Sequence, residues 1–129
     1  MSHPHVPLKR LDHVSLNVAD REASIAWYRD VVGLEPRSVA PRDDWPVFMG
    51  ELGACVALFQ AQSRSADRME ESTGLRHIAF MVDGGDLERA RARLQALGID
   101  LRTEDHGSSS SLYFSDPDGN VIELTSYER

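Results

Sequence analysis

Two short stretches of this chain carry a histidine inside an alternating apolar run. Residues 11–18 read LDHVSLNV and residues 75–82 read LRHIAFMV, with His13 and His77 each at the third position. A lone histidine in an apolar strand is more often a satisfied core side chain than a ligand. Equivalent positions in two related stretches reverse that preference, because a repeat places both imidazoles in equivalent geometry. A third group stands in NVIELTS, where Glu123 interrupts a short apolar strand. A half-buried carboxylate is costly unless it is paired or coordinates a metal. Two imidazoles and one carboxylate leave coordination positions open for a substrate. That donor set suits Fe(II) or Mn(II), with Zn, Ni or Co as related alternatives.

Other side chains could serve the same site. Tyr113 lies in SLYFSDPDG, on the strand face opposite Leu112 and Phe114. It is either an acid/base or substrate hydrogen-bonding group, or an ordinary strand tyrosine with a wet hydroxyl. His106, in EDHGSSSS, is a candidate base beside the metal ligands or a solvated loop residue. The serine run after it either binds an anion or is only flexible. Trp45 and Phe48, in DDWPVFMG, are candidates for a pocket wall, with core packing the simpler reading for at least one of them. His3 and His5 lie in a Pro-containing tail, where a frayed end is expected rather than a metal site.

The elements that must position these groups form a repeat. LDHVSLNVADREASIAWYRDVVGLE overlays LRHIAFMVDGGDLERARARLQALGID, with one residue inserted near Gly84 and Gly85. Each copy begins with a strand whose odd and even residues face opposite ways. Val14, Leu16 and Val18 should cover a helix, as should Ile78, Phe80 and Val82; His13 and His77 point away. The helix stripes are Ile25, Tyr28 and Val32 in one copy, and Leu87, Ala90, Leu94 and Leu97 in the other. Asp20 and Asp86 are candidate N-caps, and Gly33 and Gly98 candidate C-terminal glycines.

Three strands should follow each helix: near 34–40, 45–49 and 54–60, then near 99–104, 111–115 and 121–126. DPDGN at 116–120 reads as a turn, with Pro117 fixing φ and Gly119 supplying a positive one. The expected fold is therefore α+β, a βαβββ unit used twice. Module one covers about 8–60 and module two about 75–127, joined by a polar linker at 61–74 and preceded by a tail at 1–7. The domain is read as residues 8–127. A pseudo-twofold relation should turn the two histidine faces toward each other. The counterpart of Glu123 in the first copy falls at Leu58, which cannot ligate, so three protein ligands are expected. Gln60, taken to share the face of Leu58, is the remaining candidate for a fourth.

The whole-chain balance narrows the function. The 129 residues carry 14 basic and 21 acidic side chains, a net charge of −7. Nucleic acid and anionic membrane surfaces are poor partners for such a chain. No apolar run reaches the ~20 residues of a bilayer span. The opening MSHPHVPLKR lacks the apolar segment of a secretory signal. One cysteine, Cys55, is compatible with a reducing compartment. A cytoplasmic enzyme for a small molecule is expected.

LDHVSLNVAD, WYRDVVGLE, LRHIAFMVD and LYFSDPDGNVIELTS resemble the recurrent stretches of the vicinal oxygen chelate superfamily, which includes glyoxalase I, fosfomycin-resistance proteins, bleomycin-binding proteins and extradiol dioxygenases. The likeness runs from about Leu8 to Tyr127. It implies paired βαβββ modules in a cupped, incompletely closed mixed barrel with flanking helices. It also implies a divalent metal that chelates two substrate oxygens, and a homodimer. The stretch from His106 to Glu123 is similar to the extradiol signature of a histidine, a Leu-Tyr pair, a Pro-x-Gly turn and the ligand glutamate. In that reading Tyr113 hydrogen-bonds a catecholate and His106 is an acid/base. A fosfomycin-type thiol transferase or epoxide hydrolase is the alternative, with Tyr113, Ser15 and Trp45 in the pocket. A glyoxalase-like lyase stands beside it, although the acidic ligand such enzymes place at the position matching Leu58 is absent. A metal-free binding or sequestering module is the remaining class.

Overall fold

The computed structural model describes residues 4–37, 45–62 and 74–127. Strand β1 (Val14–Val18) leads into helix α1 (Arg21–Trp27), then β2 (Val47–Glu51) and β3 (Ala54–Gln60). The second half repeats the order: β4 (Ile78–Met81), α2 (Gly84–Ala96), β5 (Arg102–Asp105), β6 (Ser110–Ser115) and β7 (Val121–Ser126). The strands form two open sheets, ordered β1-β3-β2 and β4-β7-β6-β5. In each, the first strand runs parallel to the last and antiparallel pairs complete the sheet. The fold is α+β, as the repeat implied, with two separate open sheets within one chain. No helix among the described residues is long and apolar enough to cross a membrane.

Local chemistry explains most boundaries. Asp20 caps α1, its carboxylate accepting from the Ala23 amide at 3.1 Å. The helix then widens into a π-helical segment, Tyr28–Val32, closed by Gly33 at φ 91°. Asp86 is not the second N-cap. The amides of Asp86 and Leu87 both bond the carbonyl of Asp83, so the helix starts at Gly84 and Asp86 lies in its first turn, paired with Arg89. Of the expected strand at 34–40, only a bridge from Pro36 to Met49 is seen, and residues 38–40 lie outside the described residues. Most of the linker and His3 lie outside them too. His5 is exposed.

The helix-facing sides of both sheets share one core. Leu16, Val18, Val56 and Leu58 from the first sheet join Ile78, Phe114 and Ile122 from the second, with Tyr28 and Leu94 of the helical layer between them. The repeat leaves open whether the modules pair within or between chains; among the described residues the two histidine faces do not meet within this chain. The apolar sides are drawn together by burial, so the opposite sides turn away from the common core. Ser15, Asn17, Ala79 and Met81 accordingly remain exposed.

Polar bonds lock the halves at the same junction. The DPDGN turn forms, with Gly119 at φ 86° and its amide bonded to the Asp116 carbonyl. The buried Asp116 carboxylate accepts from the Asp118 and Asn120 amides, the Asn120 side chain and, at 2.6 Å, the Tyr28 hydroxyl of the other module. Burial and the neighbouring Asp116 carboxylate push the Tyr28 phenol far above its ordinary range, so it stays a donor. Across the same junction Arg93 of α2 donates to the carbonyls of Asp30 and Val31. Tyr28→Phe removes one hydroxyl and leaves the carboxylate short of a donor. We expect it to cost roughly 1.5–3 kcal/mol, read as a lower urea midpoint with an unchanged slope. An unshifted midpoint would show that the bond contributes nothing net.

Candidate metal centre

The second sheet gathers polar groups on the face away from the core. Period-two alternation sends Ile122 and Leu124 of β7 toward the helices, which leaves Glu123 on the other side. Antiparallel pairing then sets Tyr113 opposite Glu123 and Ser111 opposite Thr125, while parallel pairing sets Ala79 beside Glu123. Glu123 is only 8% exposed. His77 stands just before β4, and its Nε2 lies 3.0 Å from Glu123 Oε1. Two cis ligands, each ~2.1 Å from a shared ion, are also about 3.0 Å apart. An imidazole and a carboxylate at that separation fit a divalent metal.

Around this pair lies a second layer. Ser111 donates to Glu123 Oε2 at 2.6 Å and lies 2.9 Å from the Thr125 hydroxyl. His106 Nε2 is 3.0 Å from the Tyr113 hydroxyl, so the loop histidine does reach Tyr113. The Arg102 guanidinium stacks 4.4 Å over the Tyr113 ring, and Glu104 bonds Arg102 at 2.8 Å. The imidazole of His77 meets the same ring edge-on. The serine run is largely ordered into this wall, with Ser109 buried and Ser110 and Ser111 in β6. Ser111 was not singled out from the sequence. Its signal was parity: it lies two residues from Tyr113 on one strand, hence on the same face.

The first sheet carries His13 on the corresponding face, with different neighbours. Its Nδ1 lies 2.7 Å from Asp12 Oδ2, a contact that orients the ring and leaves Nε2 available. Phe48 meets the imidazole edge-on with ring centres 5.2 Å apart, and Arg37 stacks on the Phe48 ring. Ser15 is exposed and pairs with Ala57, which also pairs with Phe48. Trp45 is half exposed, and its carbonyl accepts from Arg21 at the start of α1. Register also corrects the counterpart of Glu123. Ser15 and Ala79 are equivalent, and they pair with Ala57 and Glu123, so the matching residue is Ala57. Leu58 faces the core instead. Gln60 is no ligand either: it accepts from the Arg21 amide and donates to the Ala19 carbonyl, fastening the start of α1.

His77 and Glu123 are therefore brought together with Tyr113 and His106. His13 is not brought to them: among the described residues no cluster of three or more metal-ligating side chains forms. Nδ1 of His77 is buried without a hydrogen-bond partner among those residues.

Residues 10–124 match the model of the Glyoxalase/Bleomycin resistance protein/Dioxygenase superfamily. The chain belongs to this superfamily. It is 28% identical to the glutathione transferase FosA of Serratia marcescens over 91% of this chain and 80% of that protein. It is 34% identical to the catechol-2,3-dioxygenase of Bacillus subtilis (strain 168) over 88% of this chain, but spans only 40% of that enzyme's length. Among solved structures, a glyoxylase/bleomycin resistance protein/dioxygenase domain from Frankia sp. EAN1pec superposes with a TM-score of 0.77 at 26% identity. That match covers 94% of this chain and 93% of the domain.

Burial, then the Glu123 carboxylate, push the Tyr113 phenol above its ordinary value of 10.0. The folded state holds this proton more tightly than the unfolded chain, so its contribution is present at neutral pH and fades as pH rises through the raised value. The tyrosinate difference absorbance between the wild type and Tyr113→Phe should develop above pH 10.0. A transition at or below that pH would contradict the placement of Tyr113 against Glu123.

Proposed function

We propose that the protein is a metal-dependent enzyme acting on a small substrate that binds the metal through two adjacent oxygens, with extradiol-dioxygenase-like chemistry the leading reading. The observation that carries it is the run of contacts from His77 and Glu123 through Tyr113 to His106. A divalent ion, Fe(II) in this reading, supplies Lewis acidity toward the two substrate oxygens. Glu123 and His77 would hold it. Tyr113, kept protonated, offers its hydroxyl to a substrate oxygen. His106 Nε2, 3.0 Å from that hydroxyl, would orient it and is the candidate acid/base of the site.

His13 completes the ligand set from a second copy of the chain. Both histidine faces turn away from the shared core, β1 and β4 are sheet edges, and Leu11 and Met81 beside them are about three-quarters exposed. A twofold pair would bring the His13 face of each copy against the His77–Glu123 face of the other and cover this surface. The substrate would then lie between Phe48 and Ser15 of one copy and Tyr113 of the other, with Trp45 at the margin.

A second reading, thiol transfer to an epoxide with Mn(II), draws support from size: the chain spans most of FosA and less than half of the catechol dioxygenase. The two separate by assay. Anaerobically Fe(II)-loaded protein should consume oxygen with substituted catechols, give a yellow ring-cleavage product, and lose both with His77→Ala. Absence of uptake with iron bound, together with Mn(II)-dependent loss of thiol in the presence of epoxides, would establish the second reading. A protein that retains no divalent ion would instead be a binding module.

The shared site has its own test. His13→Ala and His77→Ala should each abolish metal retention alone. After mixing and subunit exchange, each mixed dimer should regain about one intact site of its two, because one site collects both substitutions. Mixtures that regain no metal despite exchange would place all three ligands within one chain.

A further inference from the structure

Glu123 has two carboxylate oxygens, and their surroundings differ. Oε1 faces His77 Nε2 at 3.0 Å. Oε2 accepts from the Ser111 hydroxyl at 2.6 Å, within the short range of a charge-assisted O–H···O⁻ bond. Ser111 is 2% exposed, so no bulk water competes for that bond. A serine hydroxyl has one proton to give. The same hydroxyl lies 2.9 Å from Thr125 Oγ1, which in turn faces the Ser110 carbonyl at 3.5 Å. The pairing of Ser111 with Thr125 across β6 and β7 fixes both hydroxyls on the Glu123 face.

We propose that Ser111 is a positioning residue that fixes Glu123 through Oε2, so that the carboxylate presents Oε1 alone to the metal. The inference rests on the metal reading given above. Its consequence is a one-oxygen carboxylate ligand, which keeps a coordination position free for substrate. The two oxygens of an unfixed carboxylate would be free to chelate and fill it. No equivalent arrangement exists in the first module, where the partner of Ser15 is Ala57.

The test is titration of Mn(II) into the metal-free protein by calorimetry, with the visible spectrum of the Co(II) form as a report on coordination number. Ser111→Ala should weaken Mn(II) binding roughly 10–100-fold, the usual effect of losing a group that orients a metal ligand. Its Co(II) bands should shift and weaken toward those of a higher-coordinate ion. Ser111→Thr, which keeps the hydroxyl, should stay near wild type in both. The metal-free melting temperatures should be alike. Wild-type affinity and spectrum in Ser111→Ala would overturn the proposal. So would losses in Ser111→Ala and Ser111→Thr that merely follow a lowered melting temperature. If Ser111→Ala does not fold, Thr125→Val, which removes the hydroxyl 2.9 Å from Ser111, tests the placement of Ser111 from its other neighbour: a several-fold loss is expected, and unchanged affinity overturns it. Glu123→Ala serves as the control. Should it bind Mn(II) as tightly as wild type, the ligand assignment itself falls, a result distinct from failure at Ser111 alone.

Discussion

Glu123 carries its charge in β7, an interior strand of the four-stranded sheet. Removing a carboxylate from water costs several kcal/mol unless nearby groups compensate. The surrounding residues are arranged by that requirement. Ser111 supplies a proton to one oxygen and His77 faces the other. Tyr113 lies across the strand pair, held from behind by His106 and covered by Arg102. A buried acid with this many dedicated neighbours is a poor way to stabilise a sheet, since an apolar residue there would need none of them.

Much of this was legible in the chain because strands alternate with a period of two. Parity alone assigned His13, His77 and Glu123 to the side away from the helices, and Tyr113 to the side of Glu123. The DPDGN turn and the cap at Asp20 were legible because each rests on a few adjacent residues. Two kinds of feature were not. Registers between distant strands have no local signature, so a one-residue slip in the alignment put Leu58 where Ala57 stands. The relation between the modules was not legible either. Repeat symmetry says that two faces are equivalent, but the placement of the shared core decides whether equivalent faces meet. Here Leu16, Leu58, Phe114 and Ile122 draw the helix-facing sides together.

The two halves have diverged around a common backbone. Each keeps a histidine at the entrance to its first strand. In the second, Glu123, Tyr113 and Ser111 gather beside it in the sheet; in the first, Asp12 contacts it from the preceding residue. In the first, Phe48, Ala57 and Ser15 make a smoother wall beside His13.

The π-helical segment at Tyr28–Val32 bears on how such a chain could have arisen. The carbonyls of Asp30 and Val31 lie in the last turn of this helix, where intrahelical donors run out, and Arg93 of the other half donates to both. Tyr28, in the same segment, gives its hydroxyl to Asp116. An ancestral half standing alone would have left these groups to water or to a second copy of itself. The second half thus completes backbone groups of the first, so a first half cut at the linker would expose carbonyls that are satisfied in the whole chain.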